Sequence, residues 1–167
     1  MNEYVGNPLQ IRGAEQYVLQ NGKGDGMHFL YIRNGLGLEV WISLDRCGDI
    51  SRVTFKGDNM GYFSPCGYVA PHYFDDKGKG FLKSFTSGFF TTCGLSAVGS
   101  PCFTEWKMMG KIDYVLGLEP GNCTPDGRDI MRKQGKLKFL ESGESALTSV
   151  KFNFLTNVDN FEKEFNR

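Results

Sequence analysis

The stretch Leu116–Cys123, "LGLEPGNC", sets one carboxylate, Glu119, at the end of an apolar run and directly before a proline. Proline disfavours helical backbone in the residue ahead of it. Glu119 is therefore held extended, and its direction is set by the strand pleat. Alternation projects it away from the face of Leu116 and Leu118. Partial burial of a carboxylate at a strand end favours the neutral form and makes it a usable general base. The plain alternative is a glutamate that marks where a strand meets water.

The chain holds two histidines. His72 follows a proline in "VAPHYFDD", with Asp75 and Asp76 close behind. Loops carry function out of proportion to their length, so His72 reads either as an acid–base group or as a solvated loop histidine. His28 falls within a strand pattern on the face of Leu30 and Ile32, and reads as a packed, hydrogen-bonded side chain. The segment "SLDRCGDISRVTFKG" gathers Asp45, Arg46, Asp49 and Arg52 around one strand junction. Carboxylate and guanidinium groups both offer bidentate geometry suited to sugar hydroxyls. Arg46, Asp49 and Arg52 are thus candidate substrate contacts, with a surface ion-pair cluster as the alternative.

Other motifs carry less. "NGKGDG" has glycines at phosphate-loop spacing, but no strand–turn–helix follows, and a hairpin turn is the simpler reading. "GLSAVG" lacks nucleophile-elbow spacing, and no histidine follows Ser96 to complete a triad in the usual order. The five cysteines are scattered without a C-x-x-C pair, so reduced, mostly buried thiols are expected rather than disulfides or a zinc site. Neither a metal nor a cofactor is expected.

The elements that must position these groups read as strands. Leu38, Val40, Ile42 and Leu44 alternate with polar neighbours, as do Val150, Phe152 and Phe154. Such period-two patterns describe strands with one face in a core. Residues 27–33, 50–56 and 136–140 read the same way with less contrast, and 89–93 is a shorter candidate. Glycine and asparagine in "RNGLG", "KGDN" and "ESGE" supply the positive φ that hairpin turns need. Helical pieces are expected only near Phe81–Phe85 and in "VDNFEKEF". The expected fold is all-β and mostly antiparallel, in one domain over residues 1–167.

Bulk composition narrows the function classes. With 19 basic and 19 acidic residues there is no basic excess, which argues against nucleic acid as a partner. No apolar run is long enough for a membrane helix. The start "MNEYVGNPLQ" lacks a signal pattern, and a cytoplasmic location is expected.

Three blocks then read together: "EVWISLDRCGDISRVTFKGDNMGYFSPCGYVAP", "GFLKSFTSGFFTTCGLSAVGSPC", and "LGLEPGNCTPDGRD" with "GKLKFLESGE". In that order they resemble the aldose 1-epimerase (galactose mutarotase-like) superfamily, and within it a bacterial branch. The resemblance covers residues 5–102 and 115–156. It implies a β-supersandwich that binds a sugar in a cleft and interconverts the anomers of an aldose. In that chemistry a glutamate takes the proton of the C1 hydroxyl while a histidine protonates the ring oxygen. The ring opens, the aldehyde rotates, and reclosure gives either anomer. The "GLEP" match places Glu119 at the glutamate position.

The chain also departs from that pattern. Longer relatives carry a central block with an "LHG"-type histidine between "AVGSPC" and "LGLEP", where this chain has only "FTEWKMMGKIDYV". No histidine follows His72, so His72 is the remaining candidate acid. The resemblance therefore implies an internally truncated supersandwich, with 1–102 as its N-terminal part and 115–167 as its C-terminal part. General acid–base partners contribute about 10²–10⁴-fold each, so weak or absent turnover is expected. The alternatives are a non-catalytic carbohydrate-binding remnant and an oligomeric structural β-protein. A missing middle also exposes strand edges, which predicts a homo-oligomer, a dimer formed by strand exchange.

Overall fold

The computed structural model describes residues 3–89, 102–111, 114–121, 126–137, 139–145, 147 and 151–155. Its centre is an antiparallel meander: β1 (Gly13–Val18), β2 (His28–Arg33), β3 (Leu38–Ser43), β4 (Asp49–Phe55) and β5 (Asp58–Asn59), hydrogen-bonded in that order. Two further pairs are β6 (Tyr62–Phe63) with β7 (Ser87–Gly88), and β8 (Cys102–Met109) with β9 (Tyr114–Gly121). The chain is all-β and mostly antiparallel. Among the described residues, short 3₁₀ turns and one helix, α1 (Arg128–Lys133), accompany the strands.

Turn chemistry sets the meander's register. Between β2 and β3, Asn34 Oδ1 accepts from the N–H of Leu36 at 2.8 Å and of Leu38 at 3.1 Å. Gly35 and Gly37 supply the positive φ angles that this turn requires. Phe29 then faces Ser43 and Tyr31 faces Trp41. Between β4 and β5 the turn is Lys56–Gly57, both at positive φ, the backbone of a tight hairpin turn. A bulge next to Trp41 and Ile42 shifts the pairing with β4 and bends the sheet there.

The aromatic face of the sheet carries the main hydrophobic cluster. Phe29 and Met27 pack with Ala70, flanked by Leu19, Trp41 and Tyr68. The Phe29 ring meets Tyr68 at 4.9 Å edge-on, and Tyr68 meets Phe63 at 4.8 Å. Tyr31 and Trp41 lie 4.6 Å apart on the same face. Burial of a side chain such as Phe29 stabilises by roughly 1.5–3 kcal/mol. The loop carrying Tyr68 and Ala70 is fastened by the Ala70 N–H to Lys23 carbonyl bond of 2.8 Å. Thus the segment just ahead of His72 is tied to the β1–β2 connection.

The strands expected at residues 27–33, 38–44 and 50–56 are present, within a residue or two at the ends. The helical turn expected near Phe81–Phe85 is a 3₁₀ turn, Gly80–Ser84. Residues 151–155 are not in a strand, yet Phe154 stacks on Phe55 at 5.5 Å and Phe152 meets Phe89 at 4.8 Å. Their alternation records a packing face. The described part of 136–140 is likewise not strand, and α1 forms where no helix is expected. The expected helix in "VDNFEKEF" and most of the 89–93 strand lie outside the described residues.

Candidate functional site

The hairpin register brings His28 and Asp45 together. Phe29 opposes Ser43, so the start of β2 lies beside the 3₁₀ turn Leu44–Arg46 that follows β3. Asp45 Oδ2 accepts the His28 backbone N–H at 2.5 Å, and both carboxylate oxygens lie 3.2 Å from His28 Nδ1. A carboxylate beside Nδ1 favours the tautomer with the proton on that nitrogen, which leaves Nε2 as the proton acceptor. The hydrogen-bonded role expected for His28 is present; its packing is not, since its side chain is 57 % exposed.

A second element closes on the same place. Ala70 anchors the 3₁₀ turn Pro71–Tyr73, where the His72 ring rests on Tyr73 at 4.3 Å between centroids. His28, His72, Asp25 and Asp45, with Met27, Ala70 and Pro71, line one cleft of about 510 Å³. The cleft is wide open to solvent. Its walls combine acidic and imidazole groups with apolar ones, and among the described residues no lysine or arginine lines it. Asp25 is itself oriented, its Oδ1 accepting the Asn21 N–H at 2.8 Å.

The cluster Asp45, Arg46, Asp49 and Arg52 does not converge on one point. Asp45 turns to His28, whereas Arg46 turns the other way. Its Nε lies 3.7 Å from Asp49 Oδ2, and its guanidinium donates to the Ser84 carbonyl at 2.9 Å. The Asp49 side chain is only 4 % exposed and that of Arg46 24 %. This pair fastens the β3–β4 corner to the Gly80–Ser84 turn. Arg52 stands exposed on β4 opposite Trp41. None of Arg46, Asp49 and Arg52 lines the cleft. Glu119 has the extended backbone its proline predicts, in β9 opposite Thr104, and its side chain lies outside the described residues.

Asp75, near His72 in sequence, belongs to a different contact. Its carboxylate accepts from Lys83 Nζ at 2.7 Å and from the Lys77 N–H at 3.0 Å. The Lys83 ammonium, helped by the Lys77 N–H, holds this carboxyl below the usual carboxylate range. Among the described residues no cluster of three or more His, Cys, Asp or Glu is placed to hold a metal ion. No helix among them is long and apolar enough to cross a membrane.

The sequence signal for His28–Asp45 was available in the hairpin itself. Extending the Phe29–Ser43 pairing by one position sets His28 against Leu44, next to Asp45. What local pattern does not give is the return of His72 to that corner, which depends on the loop from Ser64 to Ala70.

Comparison with known proteins finds one family. The family described as "Domain of unknown function (DUF4432)" matches residues 24–102 and 100–154. The match falls in two segments that meet within "SPC", at the end of the second block of the sequence. No curated protein and no solved structure matches the chain.

Proposed function

The chain belongs to the DUF4432 family, and from that premise we propose that it is a mutarotase-like carbohydrate-binding protein. Its cleft beside His28, Asp45 and His72 takes a neutral aldose. Anomer interconversion is a weak residual activity.

The observation that carries this reading is the meeting of both histidines of the chain at one cleft, with Asp45 on His28 Nδ1. Asp25 offers a second carboxylate to sugar hydroxyls, and the exposed Pro71 offers an apolar contact to the C–H face of a pyranose. Resemblance of the "GLEP" and "SLDRCGDISRVTFKG" blocks to aldose 1-epimerases supports the same ligand class.

The residual chemistry is proton transfer at the anomeric centre. A base takes the C1 hydroxyl proton, an acid protonates the ring oxygen, and the C1–O5 bond breaks to the open aldehyde. Rotation and reclosure return the proton and give either anomer. Glu119 is the base that the "GLEP" motif supplies, and His72 is the acid at the cleft. His28, oriented by Asp45, binds the sugar. The shortened middle removes the histidine that relatives use, which is why binding outlasts turnover.

The test follows freshly dissolved α-glucose and α-galactose by proton NMR with and without protein. Saturation transfer to the sugar with a small rate gain over buffer is the expected result. Glu119→Gln removes that gain and leaves saturation transfer. Absence of saturation transfer across neutral hexoses, pentoses and deoxyaldoses overturns the proposal.

A further inference from the structure

Among the described residues the ribbon of β8 and β9 leaves a strand edge and several apolar side chains uncovered. Among the described residues the outer edge of β8 pairs with no other strand, and Met108, Met109, Tyr114 and Leu116 are all at least half exposed. A two-stranded ribbon is marginal in water by itself, and its unpaired N–H and C=O groups form a template for another strand.

The two edges differ. β9 contains Pro120, which has no N–H to give, and Gly117, which weakens a strand interior. β8 contains neither residue type. It carries Glu105 and Lys107 on one face, with Lys107 Nζ 3.8 Å from Glu105 Oε1. This spacing is self-complementary. Two copies of β8 running antiparallel about a two-fold axis at position 106 set Glu105 of each copy opposite Lys107 of the other. An axis at position 105 or 107 instead sets like charges against each other, which is destabilising. Register is thereby specified by charge as well as by the pleat.

We propose that the chain forms a homodimer in which β8 of one copy pairs antiparallel with β8 of a second, about a two-fold axis at position 106. The result is a continuous β9–β8–β8–β9 sheet. One face of that sheet is assembled from Met109, Tyr114 and Leu116 beside Glu105 and Lys107 of both copies, with Met108 on the other face. The occupant is a second copy because the charge pattern matches itself.

Light scattering after size exclusion tests this with charge reversals. Wild type is expected at twice the 18.7 kDa chain mass. Lys107→Glu alone and Glu105→Lys alone each set like charges opposite in both pairs, and each runs at the chain mass. An equimolar mixture of the two single variants restores opposite charges across the axis and returns to twice the chain mass. The double variant Glu105→Lys/Lys107→Glu dimerises like wild type, which separates a pairing defect from a folding defect. A monomeric wild type overturns the proposal. So do single variants that remain dimeric, or a mixture that stays at the chain mass.

Discussion

Asp45 holds His28 twice: its carboxylate accepts the backbone N–H at 2.5 Å and sits 3.2 Å from ring Nδ1. One side chain therefore fixes both where β2 begins and which way its first imidazole points. The fold and the site share this contact.

Replacing Asp45 by Asn keeps the shape and removes the charge. Aldose affinity is expected to fall about tenfold, roughly 1.4 kcal/mol, through loss of a charge-assisted contact at the imidazole. Stability changes little, by about 0–1 kcal/mol, since the His28 side chain is 57 % exposed and exposed pairs are worth that much. Saturation-transfer titration and thermal melts read the two effects separately. A large loss of stability with unchanged affinity would make Asp45 a purely architectural residue.

Arg46 and Arg52 are expected to part company on truncation. Arg46→Ala removes the guanidinium from beside the nearly buried Asp49 carboxylate and frees the Ser84 carbonyl, for a loss of about 1–2 kcal/mol. Arg52→Ala alters an exposed position and stays within about 0.5 kcal/mol of wild type. Urea midpoints at constant m-value measure both. Equal effects would contradict the view that Arg46 is a tie between the β3–β4 corner and the Gly80–Ser84 turn.

The Asp75–Lys83 contact predicts an acid-sensitive loop. Its carboxyl is held below the usual range in the folded state, first by Lys83 and then by the Lys77 N–H. The contact thus contributes fully above the ordinary carboxylate range and is lost as pH falls through the lower folded value. Hydrogen exchange at the Lys77 N–H should rise over that acid window relative to the Leu30 amide of the central sheet. In Lys83→Met the rise begins at higher pH. An exchange profile identical to wild type in that variant would remove Lys83 as the cause.

Gly88 marks where β7 crosses the main sheet. A Cβ there would lie 2.7 Å from the Ile50 carbonyl oxygen and 3.0 Å from Ser51 Cα, with φ at +148°. Both obstacles are backbone, so Gly88→Ala is expected to cost about 1–3 kcal/mol. Chemical denaturation checks the magnitude. A neutral substitution would mean that β7 is free to lift from β4.

Legibility in the sequence followed the kind of physics each signal reports. Leu38–Ser43 was readable because alternation and the "NGLG" turn agree on one hairpin. β1, "GAEQYV", has no clean apolar period and was not anticipated, since its place is fixed by pairing with β2. β8 lies in the stretch read only as a shortened gap, and its partner β9 is what makes it a strand. The apolar face of Leu38, Val40 and Ile42 was expected inward. Burial is shared between the faces: Val53, opposite Val40, is as buried as Phe29, whose side is covered by the Tyr68–Ala70 loop. His72 was legible as a loop histidine after proline. Its return to His28 was not, because that proximity depends on the Ala70–Lys23 bond rather than on local sequence.

The chain's having only two histidines makes the central claim directly measurable. Long-range ¹H–¹⁵N spectra of imidazole-labelled protein give one set of ring signals for His28 and one for His72, assigned by His28→Gln. Titration with a neutral aldose is predicted to shift both sets along one saturable curve, with the His28 Nδ1 signal losing its response in Asp45→Asn. Ring signals that stay fixed to saturating aldose would contradict a sugar site at this cleft.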